Sequence, residues 1–298
     1  MARQLPVIDR NRPADEAPVF ERIAIVGLGL IGGSLAMAIR RRWARGLIIA
    51  IDSKDVLEAA MRSHTADVAG DDLVMAGDAD LIVLAAPVQQ NITTLGRLSD
   101  YVPGDVFVTD VGGTKASTLA AARSLPPRMR FIGGHPLAGA AAGGFSAARP
   151  DLFAGRPWLI TPPPDARPDD LDRLEQFIAA LDAHPRRIDA DAHDRLIGYL
   201  SHLPQLTASA LMHVVGEHAG ADGLALSGRG LRDTTRLASS PPEIWRDIAE
   251  TNPENIRKAL DELIAVLQDL RRDLPEHGAL DRIFESAAGW KRHLDDGE

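Results

Sequence analysis

The chain contains no cysteine. Disulfides, thiolate nucleophiles and cysteine-ligated metals are thereby excluded, and a reducing cytoplasm is the expected location. Aromatic residues are scarce, at 4%, and the formal net charge is −9. Nucleic-acid binding calls for a basic stripe with stacking aromatics, so that class of partner is set aside. The basic run Arg40-Arg41-Arg42 reads instead as a solvated helix end, where cations suit the helix dipole. A long apolar run is also missing. Residues 23–39 carry no charge, but they fall short of the roughly 20 residues of a membrane span and include four glycines. No membrane partner is expected. The first 20 residues scatter Pro6, Pro13 and Pro18 among mixed charges, without the apolar core of a signal peptide. They read as a flexible leader. Histidines occur, but His213 and His218 lie five apart, a poor spacing for two ligands on one helix face, and no metal site is expected. Neither a Gly-x-Ser-x-Gly elbow nor a Walker lysine appears.

What the chain does have is 298 residues, 45% of them hydrophobic, enough for two domains with separate cores. Near the start a short apolar run, Ile23–Val26, leads into Gly27-Leu28-Gly29-Leu30-Ile31-Gly32, then an alanine-rich stretch, then Leu47–Asp52. Strand, glycine turn, helix, strand and acid in that order describe a dinucleotide-binding unit. Gly27 permits the tight turn, Gly29 lets backbone N–H groups approach a pyrophosphate, and Gly32 allows close helix–sheet packing. Asp52, 20 residues after Gly32, is placed to bond the ribose hydroxyls and to repel a 2′-phosphate. NAD is therefore expected over NADP.

Alternation continues through strands at Asp80–Ala86, Asp105–Asp110, Arg130–Gly134 and Pro157–Thr161, with a last short one at Arg187–Asp189. Helices are expected at 88–101, at about 114–124 and at roughly 168–183. The fold class expected is α/β, a Rossmann-type doubly wound parallel sheet, followed by an all-helical domain. The boundaries expected are 1–20 for the leader, 21–189 for the NAD-binding domain and 190–298 for the helical one. In the latter, Asn252-Pro253 is a good helix start, with Asn as cap and Pro at the first position. Downstream, Ile256, Leu260, Leu263, Leu267, Leu270 and Leu274 form an apolar stripe, which reads either as an ordinary core face or as a subunit contact.

Ligands of open parallel sheets bind beyond the carboxyl ends of the strands. Pro87 and Asp110 end two strands and join Gly27–Gly32 and Asp52 as expected cofactor contacts. His135, in Gly133-Gly134-His135-Pro136, ends a third. On position alone it reads equally as a general base or as a histidine bonded to its own turn. Asp110-Val-Gly-Gly-Thr-Lys115 is either a site segment or a plain strand-to-helix turn with Thr114 as cap and Lys115 in solvent. Ser201-His-Leu-Pro-Gln205, with Arg229, Arg232, Asp233 and Arg236 further on, reads by itself as a capped helix end. His193, between Asp191 and Asp194, reads as a helix-start residue.

Taken together, Gly27–Ser34, Asp110–Lys115, Gly133–Gly139, Ser201–Gln205 and Leu231–Ala238, continuing into Ile244–Ile248, resemble the prephenate/arogenate dehydrogenase family. The resemblance implies NAD-dependent oxidative decarboxylation of prephenate or arogenate, small-molecule substrates of tyrosine synthesis, by a homodimer joined through its helical domain. It also implies that His135 accepts the proton of the ring hydroxyl. Arg236 matches the carboxylate anchor and His202 its neighbour, with Ser201 and Asp233 flanking them at the substrate. Relatives commonly carry serine where Gly113 stands, and Thr114 is expected to supply that hydroxyl to catalysis. Ala140, Ala141 and Ala142 occupy a stretch where relatives often carry threonine and an acid. Two other readings remain open: a related dehydrogenase for an amino-substituted analogue or another hydroxy acid, and a non-catalytic NAD sensor.

Overall fold

The computed structural model describes residues 17–140 and 142–296. Residues 1–16, most of the expected leader, and Ala141 lie outside the described residues. Phe20, the leader's last residue, belongs to the core: it is fully buried, with its ring centroid 5.7 Å from Phe107 and 5.6 Å from Phe177.

The chain runs β1 (Arg22–Val26), α1 (Leu30–Arg42), β2 (Leu47–Ile51), α2 (Lys54–Arg62), β3 (Val68–Gly70), β4 (Leu81–Leu84), α3 (Val88–Tyr101), β5 (Val106–Asp110), α4 (Ala116–Ala122), β6 (Met129–Pro136), β7 (Pro157–Thr161), α5 (Pro168–Ala180) and β8 (His184–Arg187). These strands form one sheet in the order β3-β2-β1-β4-β5-β6-β7-β8. All neighbours are parallel except β6 and β7. The register aligns the strand ends: Val26 pairs with both Ile51 and Leu84, and Leu84 pairs with Asp110. Gly27, Asp52, Ala85 and Val111 therefore leave the sheet at one level, where a ligand of a doubly wound sheet binds. Continuous apolar runs such as Leu81–Leu84 suit strands buried on both faces. Two strand expectations change. β8 begins at His184, three residues earlier than expected, because its polar, mostly exposed residues give no apolar pattern to read. The three-residue β3, only half-buried, was not expected at all.

The remainder is helical: α6 (Ala190–Ile197), a π-type turn (Gly198–His202), α7 (Leu203–Ala225), α8 (Arg229–Thr234), a 3-10 turn (Arg236–Ser239), α9 (Pro242–Thr251), α10 (Pro253–Arg272) and α11 (Gly278–Asp295). The chain divides into two compact units. The sheet unit runs through His193 and takes back Pro242–Thr251, and the helical unit comprises Asp194–Pro241 and the chain from Asn252 onward. The returning helix α9 is fastened to the sheet unit by its own polar groups. The Asp247 carboxylate accepts from the first two N–H groups of α3, on Val88 and Gln89, at 2.5 and 2.9 Å. The Thr114 hydroxyl donates to Thr251 at 2.8 Å.

Asn252 stands at the expected cap position before Pro253, but its side chain makes no cap bond. The amide nitrogen donates to the Asp194 carbonyl at 2.9 Å, and the amide oxygen accepts from Asn255 at 2.7 Å. Among the described residues no helix is long and apolar enough to cross a membrane.

Candidate active site

The glycine turn of the sheet unit is built as its spacing demands. Gly27 has φ +95°, and a Cβ there would lie 2.6 Å from the Ala86 nitrogen. A Cβ on Gly32 would lie 1.9 Å from the Gly27 carbonyl oxygen, so only glycine lets α1 start this close to the turn. Gly29 differs, with nothing within 4 Å of the place its Cβ would take. That space opens on a cleft of about 720 Å³ whose lining includes Gly27, Leu28, Gly29, Asp52, Pro87 and Phe145. Leu30 and Ile31 open α1, which has no side-chain cap and no acid in its first turn. Its leading N–H groups are thus left for an anion. Asp52 accepts from the Leu28 N–H at 2.6 Å and, through its other oxygen, from the Ser53 N–H at 2.6 Å. The carboxylate thus holds the glycine turn as well as facing the cleft. These features fit a dinucleotide.

Of the two readings of Asp110–Lys115, the plain turn with Lys115 in solvent does not hold. Lys115 is not in solvent. Its ammonium is buried, paired with the Asp110 carboxylate and donating to the Gly134 carbonyl at 2.7 Å. Asp110 also accepts from the N–H groups of Gly112 at 3.0 Å and Gly134 at 3.1 Å. With both oxygens engaged and no exposed surface, the Asp110 side chain clamps the end of β6 rather than reaching a cofactor. Bare backbone is needed along this segment: a Cβ on Gly133 would lie 2.3 Å from the Thr161 hydroxyl, and one on Gly134 2.7 Å from the Asp110 carbonyl oxygen. Thr114 is corrected too. It is fully buried, and its hydroxyl is turned to Thr251. It does not replace the serine that relatives carry one residue earlier. At Gly113 itself a Cβ would meet nothing within 4 Å.

His135 follows that clamped segment, one residue before the end of β6, and is half-buried. Its Nδ1 lies 2.9 Å from Nε2 of His193, with ring centroids 5.1 Å apart at 62°. His193 is fully buried in the first turn of α6. The reading of His193 as a helix-start residue missed this contact, since it spans 58 positions and leaves no local signal.

In the helical unit, the Leu203 N–H reaches back five residues to the Gly198 carbonyl, forming the π-type turn ahead of Pro204. Such turns accommodate a residue that cannot join the helical ladder, and they recur at functional sites. His202 is carried in this turn, buried, with Nδ1 3.4 Å from the Asn252 amide, while Ser201 is exposed. Gln205 joins the segment to the one that bears Arg236. It donates to the Leu237 carbonyl at 2.8 Å and accepts from the Ser240 hydroxyl at 3.1 Å. Arg236 and Asp233 are exposed. The helical unit thus brings Ser201, His202 and Arg236 onto two segments that Gln205 ties together.

Comparison with known proteins accounts for both units. A family model described as prephenate dehydrogenase, nucleotide-binding domain, matches residues 35–186, and one described as prephenate dehydrogenase, dimerization domain, matches 189–286. A prephenate dehydrogenase of Bacillus subtilis is 32% identical over 282 residues, covering 92% of this chain and 76% of the relative. A cyclohexadienyl dehydrogenase of Zymomonas mobilis is 29% identical, covering 85% and 88%. Among solved structures, Synechocystis arogenate dehydrogenase has a TM-score of 0.77 at 30% identity, covering 92% of this chain and 99% of its own. Prephenate dehydrogenase from A. aeolicus, in complex with hydroxyphenyl propionate and NAD+, has a TM-score of 0.84 at 26% identity, covering 93% and 98%.

Proposed function

The chain belongs to the prephenate dehydrogenase family, and from that membership we propose that it catalyses the NAD-dependent oxidative decarboxylation of prephenate, of arogenate, or of both, in tyrosine biosynthesis. The observation that carries this reading is the match of both family models in sequence, from residue 35 to residue 286. Bound at the glycine turn, NAD supplies the hydride acceptor.

The residue roles follow from chemistry. His135 takes the proton of the ring hydroxyl as general base. The carbon that bears the hydroxyl gives up hydride and becomes a ketone. The bond to the ring carboxylate then breaks, releasing carbon dioxide, and its electron pair passes into the ring, which becomes aromatic. The resulting phenolate recovers the proton from the His135 imidazolium, so the step consumes and releases no net proton. Arg236 supports the role of anchor: a guanidinium grips a carboxylate through two hydrogen bonds, and a protein of charge −9 needs a local cation to receive a multiply charged anion. The family resemblance assigns His202 as the neighbour of this anchor, with Ser201 and Asp233 also at the substrate. On this reading residues 21–189 carry the cofactor, and residues 190–298 supply the anchor and join two copies in a cytoplasmic homodimer.

The test is to incubate the purified protein with NAD and each substrate in turn, following the absorbance of the reduced cofactor. Turnover of at least one is expected, and the ratio of the two rates identifies the preferred side chain. No turnover with either ends the proposal.

A further inference from the structure

We propose that His193 is the positioning residue of the reaction base: it holds His135 in the one tautomer whose Nε2 is able to take a proton. The inference deepens the reading of His135 as base and rests on it. It starts from the 2.9 Å separation of His135 Nδ1 and His193 Nε2, a distance that requires one shared proton between the two nitrogens. Two neutral imidazoles can share it in only two ways. If His193 donated, the proton of His135 would sit on Nε2, and that nitrogen would have no lone pair for the substrate. If His135 donates through Nδ1, its Nε2 carries no proton and is able to accept one. Only the second arrangement is compatible with catalysis, so His193 acts as the acceptor and carries its own proton on Nδ1.

The surroundings hold the His193 backbone in place. It is fully buried, its backbone N–H donates to the Asp189 carbonyl at 2.8 Å, and the Asp189 carboxylate accepts from the Ala192 N–H at 2.9 Å. The ring is thus carried on a capped first helical turn. When His135 gains the substrate's proton, its Nδ1–H continues to donate to His193 Nε2, and that bond strengthens because the donor is now cationic. The positive charge that His135 gains is lost again when the phenolate recovers its proton.

The test pairs kinetics with nitrogen-15 NMR of the histidine rings on the full chain. His193→Phe keeps an aromatic ring and removes the acceptor. His193→Gln can place an amide oxygen where Nε2 stood. The expected result is a fall in kcat of at least about tenfold for the Phe variant, bounded by the 10²–10⁴-fold contribution of a general base. KM for NAD should change less than about twofold, and the Gln variant should recover most of the loss. The spectra should show His135 protonated on Nδ1 in the parent protein and shifted toward Nε2–H in His193→Phe. Equal losses in both variants with an unchanged tautomer would overturn the inference, as would unaltered kcat in the Phe variant. Should that variant fail to fold, the parent spectrum alone decides: His135 protonated mainly on Nε2 overturns it. Turnover retained in His135→Ala would instead overturn the base assignment itself, whatever the His193 variants do.

Discussion

In the sheet unit, an ammonium and a carboxylate, Lys115 and Asp110, are wholly buried and engage each other and the backbone of Gly112 and Gly134. In the helical unit, Arg236 is exposed, and its guanidinium has no ion-pair partner among the described residues. The apolar side chains divide the same way. The described large hydrophobics that stay exposed lie in the helical unit, including Leu200, Leu226, Leu267, Phe284 and Trp290, with only Met61, Val74 and Ile244 in the sheet unit. The sheet unit pairs Lys115 with Asp110 in its interior and buries most of its large apolar side chains. The helical unit leaves Arg236 and apolar side chains such as Leu226 and Trp290 exposed.

The sharpest way to break that contrast is to open the closed side. Lys115→Met removes a cation of similar length and leaves the Asp110 carboxylate buried without its counter-charge. Removing one partner of a buried pair costs about 3–5 kcal/mol, so unfolding in denaturant should show a loss of that size. Turnover should fall as well, because the same ammonium holds the Gly134 carbonyl next to His135. A stability change below about 1 kcal/mol would mean that the pair behaves like a surface salt bridge.

Arg236→Ala is the matching change on the open side, and its effect should be opposite in kind. With no protein partner to lose, stability should stay within about 0.5 kcal/mol, as for other surface substitutions. Substrate KM should rise roughly 30-fold, the equivalent of about 2 kcal/mol for a charged hydrogen-bonded contact. Unchanged KM would remove Arg236 from the anchor role. The apolar half of the contrast is read by sedimentation. A dimer is expected at micromolar concentration, and Leu267→Glu, on an exposed position of α10, should shift it toward monomer. A parent protein that sediments as a monomer would count against the homodimer.

How far the sequence speaks depends on the distance over which each feature is made. The glycine turn and Asp52 were legible because strand, turn and helix follow one another in the chain, and the strain at Gly27 is local. The α/β order and the helical second half were legible from apolar runs and their disappearance. Between its two readings the sequence could not choose for Lys115, because its burial depends on β5 lying beside β6, which brings the backbone of Gly133 and Gly134 against it. Thr114 was misread because its partner, Thr251, arrives 137 residues later. Asp247 was legible only as part of a family segment, since the α3 N–H groups it accepts from lie about 159 positions away. Nothing near His193 announced its contact with His135. Local chemistry was readable; polar contacts closed by the fold were not.

The smallest effect, and the finest test of the closed half, concerns Asp52. Its carboxylate has two tasks that the structure separates: it holds the glycine turn through the Leu28 N–H, and it presents negative charge to the cleft. Asp52→Asn keeps an oxygen able to accept the Leu28 bond but removes the charge, whereas Asp52→Ala removes both. If charge alone sets the cofactor preference, the ratio of kcat/KM for NADP over NAD should rise about tenfold in both variants, equivalent to about 1.4 kcal/mol. Only the Ala variant should also lose affinity for both cofactors, because only there is the turn released. A ratio that stays at the parent value in both would show that Asp52 serves the turn and does not choose the cofactor.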